Sequence, residues 1–106
     1  MAVDVLFEVI TPLGIKVRTT KEYWNTIINL KHPSVKPFGK EIEKTLSEPD
    51  QIRKSIKDPK VNLYYLSIGK LNLCVVVDCT STSEGYIITA YLTDRIKEGE
   101  QIYVKN

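Results

Sequence analysis

His32 is the only histidine in the chain, within Leu30-Lys31-His32-Pro33-Ser34. No other side-chain type has an ordinary pKa that changes its charge close to neutral pH. A solitary imidazole beside a lysine suits proton transfer better than metal binding, because a transition-metal site needs further His or Cys ligands. The two cysteines, Cys74 and Cys79, do not form a CxxC pair and no second Cys/His cluster completes a zinc site. The sequence has no glycine-rich phosphate loop, no GxSxG elbow and no HExxH, and its acidic residues are scattered rather than grouped as a Mg²⁺ cage. Metal-independent acid–base chemistry or pure binding remains, with no cofactor implied.

Phosphodiester transfer in RNA fits so sparse a set of groups. The 2′-hydroxyl is an internal nucleophile, so a protein need only move protons and stabilise charge on phosphorus. One histidine can act as acid or base. A lysine or arginine can hold phosphate oxygens, hydroxyls can orient the scissile group, and an aromatic ring can stack a base. His32 is the candidate acid/base, Lys31 and Arg53 are the candidate cations, Thr89 and Tyr91 the candidate hydroxyls, and Tyr64 the candidate stacking ring. Each also has a structural reading. A lone histidine at a helix end is often a capping or packing residue, Arg53 can pair with Asp50 or Asp58, and Thr89 and Tyr91 suit a half-buried strand on β propensity alone. A helix end raises the pKa of an imidazole and a helix start lowers it, so position alone does not fix the charge of His32.

The elements that must position these residues follow from hydrophobic periodicity. Residues 2–10 and 15–19 read as a β-hairpin around Thr11-Pro12-Leu13-Gly14. Thr19-Thr20-Lys21-Glu22 matches a capping box and predicts a helix from about Thr20 to Lys31, with Tyr23, Trp24, Ile27 and Ile28 on its apolar stripe and Leu30 at its margin. Trp24 reads as core rather than as a base-stacking platform. Pro33 ends that helix at His32, and a second begins between Pro33 and Pro37, burying Val35, Phe38, Ile42 and Leu46. Ser47-Glu48-Pro49-Asp50 stops it. Residues 51–56 fit either a short strand or a helical turn. Strands are predicted at 61–68, 71–79 and 86–93, separated by Gly69-Lys70 and the polar run 80–85. In the last of them, Ile87, Thr89, Tyr91 and Thr93 share one face, with Ile88, Ala90 and Leu92 on the other. Residues 94–100 read as a charged, exposed tail and 102–104 as a short edge strand.

Grouped rather than alternating helices and strands predict an α+β fold: an N-terminal β-hairpin and two helices packed on one face of a four- to six-stranded antiparallel sheet. At 106 residues the chain suits one domain, residues 1–106. With 42% hydrophobic and 26% charged residues it reads as globular rather than disordered, and a net charge of +2 is too small to mark a nucleic-acid binder by itself. If Cys74 and Cys79 share a strand, their odd separation places them on opposite faces as free thiols, which suits a reducing compartment. The N-terminus lacks signal-peptide order and the apolar runs are too short to span a bilayer, so a cytoplasmic protein without membrane partners is expected.

The ordered combination His32-Pro33, Thr45-Leu46, Pro49-Asp50, Ile52, Ser55, Asp58, Tyr64-Tyr65, Val75-Val76-Val77 and Ile88-Thr89-Ala90-Tyr91 resembles the phage-type nuclease domains of the barnase–EndoU–colicin–RelE (BECR) superfold. The resemblance covers roughly residues 22 to 100. It implies a metal-independent endoribonuclease, toxin-like or associated with a mobile element, acting on tRNA or another RNA. By matching position it implies His32 as acid/base, Arg53 as a phosphate contact, Thr89 and Tyr91 lining the site, and Tyr64 as a substrate contact. It also admits an inhibitor or antitoxin partner. Two other readings stand beside it: a non-catalytic RNA- or protein-binding module of the same fold, and a homodimer or larger homo-oligomer formed through a sheet edge.

Overall fold

The computed structural model describes residues 5–97 and 99–105. Strands β1 (Val5–Ile10) and β2 (Lys16–Thr20) form the expected hairpin, with Gly14 at φ +78° in its turn. Residues 2–4 of the expected first strand lie outside the described residues. Thr20, rather than Thr19, caps the helix that follows: its Oγ1 accepts from the Tyr23 amide at 3.1 Å. The capping residue therefore lies one position later than the Thr19–Glu22 box predicted.

The expected first helix is divided. An α-helix, α1 (Lys21–Thr26), runs into a π-helical turn at Ile27–Lys31. His32 closes that turn by donating its amide to the Ile27 carbonyl at 2.7 Å, and then leaves helical geometry at φ −142°, ψ 79°. This departure is what a following proline demands. A 3₁₀ segment, Pro33–Phe38, leads into α2 (Gly39–Ser47). The prolines at 33 and 37 explain why α2 starts later than expected, since Pro37 has no amide to donate.

Strands β3 (Gln51–Ser55), β4 (Val61–Ile68), β5 (Leu71–Cys79), β6 (Glu84–Thr93) and β7 (Gly99–Val104) complete a seven-stranded sheet ordered β1-β2-β6-β5-β4-β3-β7. The protein is α+β, and its sheet is antiparallel except where β2 pairs in parallel with β6. Residues 51–55 resolve as a strand, and β7 extends the predicted 102–104 segment to Gly99. Strand β3 lies between β4 and β7 and pairs antiparallel with each.

The helices cover one face. Leu73, Val75 and Val77 of β5 point into it at 0% exposure, beneath Ile27, Val35, Ile42 and Leu46. The alternate residues Cys74 and Val76 belong to a second, smaller cluster on the opposite face, with Leu63, Tyr65 and Tyr91. Cys74 and Cys79 are both free, the first in the smaller cluster and the second packed against the main core.

A β-bulge corrects the predicted alternation of β6. Val77 pairs with Ile87 whereas Val76 pairs with Thr89, leaving Ile88 as the extra residue. Ile87 therefore packs into the helix-covered core while Tyr91 stays on the open face. Residues 94–97 also differ from the exposed tail expected: Ile96 packs against the open-face cluster, and the Lys97 amide donates to Tyr65 Oη at 3.1 Å.

Candidate active site on the open face of the sheet

The helix connector reaches round the upper part of β6. Parallel pairing with β2 ends at Arg18 and Tyr86, so the edge of β6 beyond Tyr86 has no strand beside it. The connector fills that place. Tyr23 Oη donates to the Ile88 carbonyl, and Lys31 Nζ donates to Tyr23 Oη at 2.8 Å and to the same carbonyl at 3.2 Å. Buried Ile27, Ile28 and Val35 anchor the backbone on either side of His32. The His32 carbonyl also accepts from the Val35 amide at 3.2 Å, so both backbone polar groups of His32 are tied down.

This arrangement sets the half-buried His32 ring against Tyr91, with centroids 5.5 Å apart and planes tilted by 42°. Thr89 lies two residues earlier on β6. The Lys97 ammonium stands 5.5 Å from the centroid of the Tyr91 ring, a cation–π distance. An imidazole, a phenol and an ammonium group thus come together from parts of the chain separated by nearly sixty residues.

Two hydroxyls here lack partners. Thr89 Oγ1 and Tyr91 Oη are buried and make no hydrogen bond. Tyr91 Oη lies beside the Cys74 thiol and the Tyr65 phenol without hydrogen-bond geometry to either. Burial, and secondarily Cys74, pushes the Tyr91 phenol far above its ordinary pKa, so it remains a protonated donor at neutral pH. Burial likewise raises Tyr65 to about 12, with Cys74 adding to the effect. The Cys74 thiol is itself pushed up by burial, which keeps it protonated and a poor nucleophile. Orphaned buried hydroxyls are uncommon in folded proteins and call for a role.

The remaining sequence candidates are placed differently. Arg53 shares the open face through its pairing with Leu63, but it lies on β3, three strands from β6 and thus roughly 14 Å away. Its guanidinium is engaged by Gln51 Oε1 at 2.7 Å and the Gly99 carbonyl at 3.0 Å, so it does not join the His32 cluster. Tyr64 is corrected outright. It pairs with Ile52 and Val75 on the helix-covered face, is 0% exposed, and cannot stack a substrate. Its neighbour Tyr65 holds the open-face position. Lys31 sits at the margin, bound to the β6 edge. Lys97 was missed because its position depends on the β6–β7 connection crossing the open face, which no local pattern announces.

Among the described residues, no three His, Cys, Asp or Glu side chains stand together as a metal cage. No helix among them is long and apolar enough to cross a membrane. Comparison of the chain with protein-family models, curated proteins and solved structures finds no match.

Proposed function

We propose that the protein is a metal-independent endoribonuclease with its centre at His32, Tyr91, Thr89 and Lys97. The observation that carries this reading is the approach of His32 to Tyr91 on the helix-free face, beside two hydroxyls that have no structural partner. In this reaction His32 takes the proton of the substrate 2′-hydroxyl. The 2′-oxygen bonds to phosphorus, the 5′-oxygen departs with a proton taken from water, His32 returns its proton to solvent, and a 2′,3′-cyclic phosphate remains. For Tyr91 and Thr89 to donate to the phosphate oxygens, their buried hydroxyls must first turn toward the substrate, while Lys97 and Lys31 offset the charge that develops there. Arg53 serves as an outlying contact to the RNA backbone.

The test is incubation with RNA in the presence of EDTA, followed by analysis of the ends. Cleavage that persists, leaves cyclic phosphate and falls at least a hundredfold in His32→Ala supports the assignment. Undamaged RNA at high protein concentration, or equal cleavage by His32→Ala, removes it. One observation favours the binding-only alternative: burial raises both open-face phenols, which stay protonated as hydrogen-bond donors and do not serve as a base near neutral pH. That alternative gives salt-dependent RNA retention with no product.

A further inference from the structure

The sheet ends on one side at β1, which pairs with β2 alone, so its outer edge has no strand beside it among the described residues. The Thr11 amide donates to the Ile15 carbonyl at 2.9 Å, which makes these two a hydrogen-bonded pair at the hairpin end. By the alternation of an antiparallel ladder, Val9 and Phe7 are then bonded to Val17 and Thr19. Glu8 and Ile10 therefore point their amides and carbonyls outward from the sheet. We infer that this edge is the interface between two copies of the chain, joined by antiparallel pairing of β1 with β1 about a two-fold axis. Such pairing does not depend on the nuclease reading.

Three features single out β1 as the edge and a second copy as its occupant. First, β1 is the apolar edge. Val5, Leu6 and Ile10 are 45%, 38% and 57% exposed, whereas β7 at the opposite end exposes only Val104 among its large apolar side chains. Edge strands that must stay single usually carry charge. The one charge of β1, Glu8, is turned back onto Lys16 and Arg18 of β2, at 3.9 and 3.8 Å.

Second, the space beyond the edge is already shaped on the helix side. A groove of about 310 Å³ between β1 and α2 is lined by Leu6, Phe7, Trp24, Gly39, Lys40 and Glu43. The bulge between Val5 and Phe7 puts the consecutive side chains Leu6 and Phe7 along it together. In the pair, the two grooves face each other across the axis and the Leu6 side chains close the space between them.

Third, the polar rim of the groove is self-complementary. Lys40 and Glu43 stand three residues apart on α2, both exposed, and neither belongs to an ion pair among the described residues. A two-fold axis perpendicular to the sheet runs α2 antiparallel to its copy, so Lys40 of each meets Glu43 of the other and no like charges are opposed. A foreign strand would have to bring matching charges of its own, whereas a second copy brings them by symmetry. The same axis keeps both open faces on one side of a continuous sheet, so the two His32 clusters look the same way.

The test is sedimentation equilibrium of the full chain over a wide concentration range, with amide hydrogen exchange at both ends of that range. A mass that rises to twice that of the chain, with the Glu8 and Ile10 amides slow to exchange in the dimer and fast in the monomer, supports the interface. Lys40→Glu and Glu43→Lys each weaken association by about tenfold or more, since like charges then face each other across the axis. The double variant Lys40→Glu/Glu43→Lys restores it. Both positions are exposed, and an unchanged circular dichroism melt shows that the monomer fold is intact. A chain that keeps its single mass at millimolar concentration overturns the interface. So does a dimer whose protected amides lie on β7 instead, or one that the charge reversals leave unchanged or the double variant fails to restore.

Discussion

Tyr91→Phe tests whether the orphaned phenol is functional. In the folded protein Tyr91 Oη is shielded from water and bonded to nothing, so the hydroxyl pays a desolvation penalty of about 1–3 kcal/mol with no return. The substitution removes one oxygen from a packed ring and leaves the apolar contacts with Cys74 and His32 in place. We expect Tyr91→Phe to be more stable than the parent by about 1 kcal/mol, which for a domain of this size raises Tm by roughly 4–8 °C. RNA cleavage should fall by about a hundredfold if the hydroxyl donates to phosphate, the usual loss for one such donor. Tyr65→Phe is the matched control: its hydroxyl accepts from the Lys97 amide, so its loss should destabilise by about 1 kcal/mol. Urea unfolding gives the stabilities, and an unchanged m-value ensures that the folded and unfolded states are comparable. A Tyr91→Phe protein destabilised by 1 kcal/mol or more would mean that the phenol is bonded in the folded state, and the argument from orphaned hydroxyls would fail. Greater stability with undiminished cleavage would instead dismiss Tyr91 from the reaction.

Three further outcomes follow from particular contacts. Tyr23→Phe deletes the hydroxyl shared by Lys31 and the Ile88 carbonyl, so it should cost about 1 kcal/mol in urea unfolding and lower kcat while leaving the pH profile of cleavage in place. Stability should fall in alkali. The folded-state pKa values of Cys74, Tyr64, Tyr65 and Tyr91 are raised, so between the ordinary values of 9 for the thiol and 10 for the phenols and their folded values the native state holds more protons than the unfolded chain. The slope is negative there, about 1.4 kcal/mol per pH unit for each retained proton, and for Tyr65 the window closes near pH 12; a flat stability profile from pH 8 to 11.5 would contradict it. Gly99→Ala should cost about 2 kcal/mol or more, because a Cβ there would stand 2.3 Å from the Lys54 carbonyl oxygen, and hydrogen exchange should show β7 opening first.

The fold was legible where periodicity and punctuation agreed. The hairpin, the proline break at His32 and the central Val75-Val76-Val77 strand all appear as the sequence suggests, and they fix which ends of the chain meet. The site was half legible. His32, Thr89 and Tyr91 could be singled out by residue type, and alternation groups Thr89 with Tyr91, but the bulge at Ile88 moves Ile87 from their face into the core. Tyr64 and Tyr65 posed a difficulty of their own. Buried Asn62, whose Nδ2 donates to Cys79 Sγ at 3.3 Å, shares the core face with Tyr64 and blurs the contrast that would have marked Tyr65 as the open-face ring. Arg53 shares the open face but stands three strands from β6, since strand order is a tertiary property that spacing does not encode. Lys97 required knowledge of where β7 docks.

Two local irregularities, each of a single residue, meet at one carbonyl. The π turn adds a residue to the helical connector and lets His32 project past the helix end rather than continue round it. The bulge adds a residue to β6 and separates the core-facing Ile87 from the open-facing Thr89 and Tyr91. Ile88, the bulged residue, offers the carbonyl that Tyr23 and Lys31 bind. A regular helix would change the direction in which His32 leaves the connector, and a regular strand would place Thr89 on the same face as buried Ile87. A regular strand would move either buried Ile87 out of the core or Thr89 off the open face, so the bulge serves packing as well as the placement of Thr89 and Tyr91. The Ile88 carbonyl that it presents is the tie by which Tyr23 and Lys31 hold the connector, and with it His32, beside Tyr91.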